Sequence, residues 1–450
     1  MMKVLLISTN SLNSPYPAYP LGLDYVFHAI SPDHQVKITD INEFENYASL
    51  KEIIKDFSPD LIGLSIRNID NTDTTDPKSF IGQYRELTET IRVHSRVPIV
   101  LGGSGFSIFP HEILKALKAD FGIIGEGERL ALLLKAFQKQ EDISNIPGLI
   151  INGSEKSVTT LLPPPFPRRF DAGSSHLKYY LKKGGMLNLQ TKRGCHFKCI
   201  YCTYPHIEGH KLRLMPPEQV AETALELQNA GAKYLFLTDS AFNADYQHSI
   251  EVARAFKKAR VSVPWGAFFK PTAPHDDYYK ILADAGLTHV EFGTEALSDR
   301  VLTAYRKPFR RRHVFQSHKA ANDAGVYVAH YFLMGGPGED AKSVDETLNT
   351  IDRLDKTVLF LFCGMRIYPH TALYDIAINE AQIDRHQNLL EPVFYQPKSI
   401  SIQEIIHRVK KKAGERSNLI VGSGGEETAR IISKMHERGF SGPLWERLIR

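Results

Sequence analysis

Short apolar runs separated by amphipathic stretches recur along the whole chain, and they predict strands alternating with helices. Residues 3 to 8 (KVLLIS), 36 to 39 (VKIT), 61 to 66 (LIGLSI), 98 to 101 (PIVL) and 121 to 124 (FGII) read as strands, most with a helix-like stretch between them. That pattern predicts a doubly wound parallel sheet, whose strands are buried on both faces. The segments that follow these strands are rich in Gly, Ser, Asn and Asp: residues 8 to 10, 66 to 74 (IRNIDNTDT), 102 to 106 (GGSGF) and 125 to 128 (GEGE). Ligands on such sheets sit beyond the carboxyl ends of the strands, where these loops fall.

A second alternation starts at LNLQTKRG (187 to 194). It continues with a helix over about 217 to 230, with Pro217 near its start and Gly231 past its end, and then KYLFLTD (233 to 239). VPWGAFF (263 to 269), THVEFGTE (288 to 295), VYVAHYFLMGG (326 to 336) and VLFLFCGMRIYP (358 to 369) complete it. Six strand–helix units in a row predict a partial (β/α)6 barrel of TIM-like type, with chemistry at the strand carboxyl ends. Between the two alternations, PPPFPRRF (163 to 170) can continue neither a helix nor a central strand. The reading is therefore an α/β protein: a Rossmann-type domain over 1–140, a connector over 141–185, a barrel over 186–374 and a mainly helical region over 375–450.

Composition sharpens this picture in three places. A chain of 450 residues exceeds one ordinary core, and 42% hydrophobic with 24% charged residues describes a globular protein without large-scale disorder. Lys plus Arg at 55 against Asp plus Glu at 51 is too even to argue for a nucleic-acid partner, and HRVKKK near the end reads as a solvated helix face. MMKVLLIST reads as a first strand rather than a signal peptide, and no run approaches the roughly 20 apolar residues of a membrane span. The expectation is a cytoplasmic protein with no transmembrane segment.

Three of the 4 cysteines fall in TKRGCHFKCIYCTYP, as Cys195, Cys199 and Cys202, directly after the first barrel strand. Thiolates this close can all face one inorganic core. A [4Fe–4S] cluster usually takes four of them, so three leave one iron open to chelate a ligand. Zinc is the plainer alternative, but zinc sites usually pair CxxC or Cys/His groups and no second pair follows.

The CxxxCxxC motif, with Tyr201 before its last cysteine, resembles that of the radical S-adenosylmethionine (SAM) superfamily, and the resemblance extends over about 186 to 370. It implies a [4Fe–4S] cluster on Cys195, Cys199 and Cys202 that reductively cleaves SAM to a 5′-deoxyadenosyl radical. It further implies that Asp239 in LTDSAFN meets the methionine amino group, with Ser240 replacing the commoner second Asp. Gly293 and Glu295 in EFGTEALSD would meet the ribose, Gly335, Gly336 and Glu339 in FLMGGPGED the adenine, and Arg366 in RIYPHT would lie on the active-site side. Strand alternation turns Cys363 opposite to Arg366, so the resemblance, which puts Arg366 on the active-site side, implies that Cys363 faces the helix layer as a buried structural thiol.

The amino-terminal sheet, with YPLGLDY near its start, Ser65 at a strand end and Gly102–Gly103 after a strand, resembles a cobalamin-binding domain. No DxHxxG follows the first strand, so no histidine is offered to cobalt, and Arg67 and Asn68 are the candidates for the lower face. Together the resemblances imply a B12-dependent C-methyltransferase acting on an unactivated carbon of a small-molecule or lipid-like substrate. The electron donor would be a protein such as flavodoxin or ferredoxin. A radical cyclase or rearrangement enzyme on the same scaffold, and a cobalamin-sensing protein with an inactive barrel, are the alternatives.

Overall fold

The computed structural model describes residues 1–13, 16–44, 47–153, 161–164, 166–272, 275–422 and 424–449; residues 154–160 and Pro165 of the connector lie outside these. Strands β1 (Lys3–Ser8), β2 (Gln35–Asp40), β3 (Leu61–Ser65), β4 (Ile99–Gly102), β5 (Phe121–Ile123) and β6 (Leu149–Ile151) form the first sheet, in the order β2-β1-β3-β4-β5-β6. The first five are parallel and β6 runs antiparallel to β5, so the sheet reaches into the segment read as connector. Alternation along the strands divides the core. Leu5, Ile7, Ile62, Leu64, Ile99 and Leu101 pack with Ile54, Leu87, Ile91 and Ile113 on one face. Val4, Leu6, Leu61, Val100 and Ile123 pack with Leu23, Val26, Leu130 and Leu133 on the other. The chain departs in opposite directions from β1 and β3, the place where doubly wound sheets open a crevice.

The second sheet contains β7 (Met186–Leu189), β10 (Tyr234–Leu237), β11 (Trp265–Phe269), β12 (Leu287–Glu295), β13 (Tyr327–Met334), β14 (Thr357–Cys363) and β17 (Leu419–Val421). Two-residue ribbons lie between them: β8 (Lys192–Arg193) with β9 (Arg213–Leu214), and β15 (Met365–Arg366) with β16 (Phe394–Tyr395). The order is β17-β14-β13-β12-β11-β10-β7, every pair parallel. The six expected strands are thus joined by a seventh, β17, from the region read as mainly helical. Leu187, Leu189, Leu235, Leu237, Val290 and Phe292 face the helices, packing on Val220, Leu227, Phe256 and Leu282. The alternate residues, among them Asn188, Phe236, Phe268, Glu291 and Tyr331, face the concave side. There Trp445, near the end of the chain, packs with Ala329, Val358, Phe360 and Ile420. No helix among the described residues is long and apolar enough to cross a membrane.

Candidate active site

The loop bearing the three cysteines is pinned from outside. Cys195 N–H donates to Gly209 O at 3.0 Å, Ile200 N–H to Tyr305 O at 3.2 Å, and Leu373 N–H to Ile200 O at 2.8 Å. Its entry needs a glycine: Gly194 has φ +92° and a Cβ there would sit 2.1 Å from Lys211 O. Cys195 is buried, Cys199 and Cys202 are partly so, and all are free thiols. Burial pushes the Cys202 thiol up to about 12, helped by the neighbouring Cys199 and Cys195. Cys199 is raised for the same reason and eased by Lys307. Buried, mutually repelling thiols ionise readily only when a metal takes the proton's place, so this donor set fits an iron–sulfur core. Among the described residues no three His, Cys, Asp or Glu side chains close on one point as single-ion ligands do.

Glu295 comes to this loop from the end of β12. The register with β13 shifts between Gly293 and Glu295, and Glu295 adopts φ +64°, a bulge that re-aims its side chain. Its Oε1 accepts from the Tyr201 hydroxyl at 2.6 Å and from Lys307 Nζ at 3.1 Å, and a Cβ on Gly293 would lie 3.2 Å from that oxygen. Tyr201, Gly293 and Glu295 are thus brought together beside the cysteines.

The other expected SAM contacts already hold partners within the protein. Asp239 is buried and its two oxygens accept from Thr191 N–H at 2.8 Å, Thr191 Oγ1 at 2.6 Å and Lys192 Nζ at 2.6 Å. Its side chain ties the end of β7 to the end of β10. Arg366 donates to Asp70 at 3.0 Å and to the carbonyls of Ile367 and Leu389 at 2.7 and 2.6 Å. It is buried against the first domain, paired with a residue of the loop that lines the cavity described below. Glu339 accepts from Gly335 N–H, from Gly336 N–H at 3.1 Å and from the Tyr305 hydroxyl at 3.1 Å, so it shapes the glycine turn. Side chains on Gly335 and Gly336 would collide with Ile402, Tyr305 and Met365, so these glycines serve close packing. Cys363 lies in the helix-side apolar cluster, its thiol pushed up to about 12 by burial.

Between the two sheets lies a cavity of about 540 Å³. Its first wall is the carboxyl end of the amino-terminal sheet, with Ser65, Arg67, Asn68, Gly102 and Gly103. It continues down between sheet and helices past Leu6, Gly63, Val100, Ile123, Val26 and Leu130. Gly103 has φ +102° and a Cβ would stand 2.5 Å from Ile66 O, so this loop can bend close under a ligand only as glycine. The opposite wall comes from the barrel: Asn188, Gln190, Thr238, and Thr203 and Tyr204 immediately after Cys202. An apolar crevice opening onto a flat polar floor fits a corrinoid with its nucleotide tail inserted.

The walls are joined by buried ion pairs. Glu126 accepts from Arg213 at 2.5 Å, Arg193 at 3.3 Å and Leu162 N–H at 2.6 Å. Arg193 lies between the rings of Tyr25 and Phe166, 4.5 and 4.2 Å from their centroids. Asp24 holds Arg168 at 2.7 Å and accepts from the Tyr19 hydroxyl at 2.8 Å, which gives YPLGLDY an interdomain role.

A model of the B12-binding domain matches residues 7–134, and one of the radical SAM superfamily matches residues 189–351. Both family-model domains are thus present in one chain. It carries a B12-binding domain ahead of the radical SAM domain, the pairing that brings cobalamin, SAM and a [4Fe–4S] cluster into one protein. It is 23% identical over 445 residues to tryptophan 2-C-methyltransferase of Streptomyces laurentii, covering 82% of this chain and 73% of that one. An uncharacterized methyltransferase of Pyrococcus horikoshii is 26% identical over 370 residues, with coverage of 80% and 78%. The radical SAM methyltransferase TsrM from Kitasatospora setae, solved with tryptophan and a SAM analog, superposes with a TM-score of 0.88. That match has 20% identity and covers 100% of this chain and 98% of that one.

Sequence reasoning missed Lys307, Lys192 and Asp70. Lys307 sits in RKPFRRR, which looks like a solvated basic run, and Asp70 finds its arginine 296 residues away. Nothing local to either residue signals its partner.

Proposed function

We propose that this protein is a cobalamin-dependent radical SAM methyltransferase that adds a methyl group to an unactivated carbon of a small-molecule or lipid-like substrate. One observation carries the reading: a single cavity has the cobalamin-type strand ends as one wall and the residues after Cys202 as the other. Bound there, the cluster with SAM supplies one-electron cleavage chemistry and cobalamin supplies a methyl carrier. Cys195, Cys199 and Cys202 would hold the iron, while Tyr201, Gly293 and Glu295 would border the SAM site. Arg67 and Asn68 would lie under the corrin, with Gly102 and Gly103 allowing its close approach. Asn68 is oriented by donating to Asn10 at 3.1 Å, while the Arg67 side chain is exposed in the cavity. Buried ion pairs on either side hold the two walls at one separation, which a methyl relay between them requires. The substrate enters between the domains, electrons come from a flavodoxin- or ferredoxin-like donor, and the compartment is the cytoplasm.

The test is anaerobic reconstitution. Wild-type protein should bind iron, sulfide and corrinoid and cleave SAM under reduction, and replacing any one of Cys195, Cys199 or Cys202 with Ala should abolish cleavage. A Cys→Ala variant that keeps cluster-dependent cleavage would remove the assignment. Product mass separates the chemistries: a gain of one CH₂ marks methyl transfer, and an unchanged or hydrogen-depleted product marks a cyclase or rearrangement.

A further inference from the structure

Lys307 lies directly after the helix Asp299–Ala304 and its turn, and its side chain, 9% exposed, runs under the cysteine loop. Its ammonium stands 3.1 Å from Glu295 Oε1, 3.2 Å from the hydroxyl of Tyr201, which lies between Cys199 and Cys202 in the chain, and 5.5 Å from the Tyr201 ring centroid. Few lysines are buried without a purpose, because desolvating an ammonium is costly unless negative charge repays it. Here one carboxylate is in hydrogen-bond contact, and the cysteine sulfurs, once ligated to iron, would be the remaining negative charge nearby.

We infer that Lys307 is a positioning residue that sets the reduction potential of the cluster: a fixed cation beside the cysteine loop that makes the cluster easier to reduce. This rests on the cluster reading above. Reduction moves one electron from the external donor onto the cluster, so the product carries one more negative charge than the reactant. A cation in a low-dielectric setting stabilises that more negative state selectively. Glu295 and Tyr201 act as the clamp that keeps the ammonium in place. Arginine at 307 would keep the charge, methionine would keep the stem without it, and glutamine would keep a donor for Glu295 and Tyr201 without it.

The experiment compares wild type with Lys307→Arg, Lys307→Met and Lys307→Gln, each reconstituted with iron and sulfide and matched for iron content. The cluster's midpoint potential is read by electron paramagnetic resonance during reductive titration, without SAM. Lys307→Met and Lys307→Gln should shift the potential to more negative values, and Lys307→Arg should stay near wild type. Thermal unfolding is measured alongside, since a purely structural ion pair would lower the melting temperature and leave the potential unmoved. Should Lys307→Met fail to hold a cluster, Lys307→Gln carries the comparison. A neutral variant with full iron and the wild-type potential overturns the inference. A wild-type chain that binds no iron overturns the underlying reading, and this inference with it.

Discussion

Glu291 projects from β12 into the concave side of the barrel, where Trp445 donates to one of its oxygens at 3.0 Å and the other has no hydrogen bond. Burial pushes this carboxyl up to about 7 from an ordinary 4.5, with the Trp445 and Tyr331 contacts pulling the other way. The folded chain therefore keeps a proton that the unfolded chain has released between those two pH values. Stability falls as pH rises through that window, and the loss is complete above it. Glu291→Gln keeps an acceptor for Trp445 and removes the ionisation. It should raise the melting temperature at about pH 8, by on the order of 3 kcal/mol of stability, and change little near the ordinary carboxyl value. An equal gain at both pH values would show that charge is not the cause. At this scale the sequence revealed which residues are polar and near strand ends, but not which partners they hold. Asp239 and Arg366 sit in recognisable segments, yet nothing in those segments shows that Lys192 and Asp70 pair with them.

Strand ends are the elements on which the site is built, and they were readable because apolar runs stop where polar loops begin. The cavity wall formed by β3 and β4 illustrates how element geometry separates two adjacent glycines. Gly103 is locked by its backbone, whereas a Cβ on Gly102 would meet nothing nearer than Ile123 O at 3.9 Å. Gly102→Phe should therefore fold and load its cluster, but its ring would occupy the cavity and corrinoid binding should be lost. The ultraviolet–visible spectrum after incubation with hydroxocobalamin and gel filtration decides this; retained corrinoid would mean that the ligand lies elsewhere. Two strands of the large sheets escaped the hydrophobic pattern. β6 and β17 are three-residue strands, too short to show a period, and each is defined only by the neighbour it pairs with, β5 and β14.

Across the whole molecule, the two domains are held in one arrangement by charge pairs buried between them. Asp70, on the loop after β3, is paired with Arg366 at 3.0 Å and its side chain is fully buried. Arg366→Met should cost about 3–5 kcal/mol, because it strands a carboxylate that water cannot reach. The double variant Asp70→Asn with Arg366→Met should recover part of that loss. Melting temperatures of the three proteins test it, and an Arg366→Met protein as stable as wild type would show that the pair is not what joins the domains. Because the Asp70 loop also carries Arg67 and Asn68, loosening this latch would disturb the cavity floor as well.

The chain by itself determined the two alternations of strand and helix, the three-cysteine loop and the glycine-bearing strand ends. These are written in local periods and short spacings that survive without knowledge of distant partners. Only the tertiary structure decided that Lys307 lies under the cysteines, that Trp445 closes the concave side of the barrel, and that Asp239, Glu339 and Arg366 support the frame. A buried charge is assigned by whatever opposite charge or carbonyl the fold brings within about 3 Å, and that partner is set by packing across many residues rather than by neighbours in the chain.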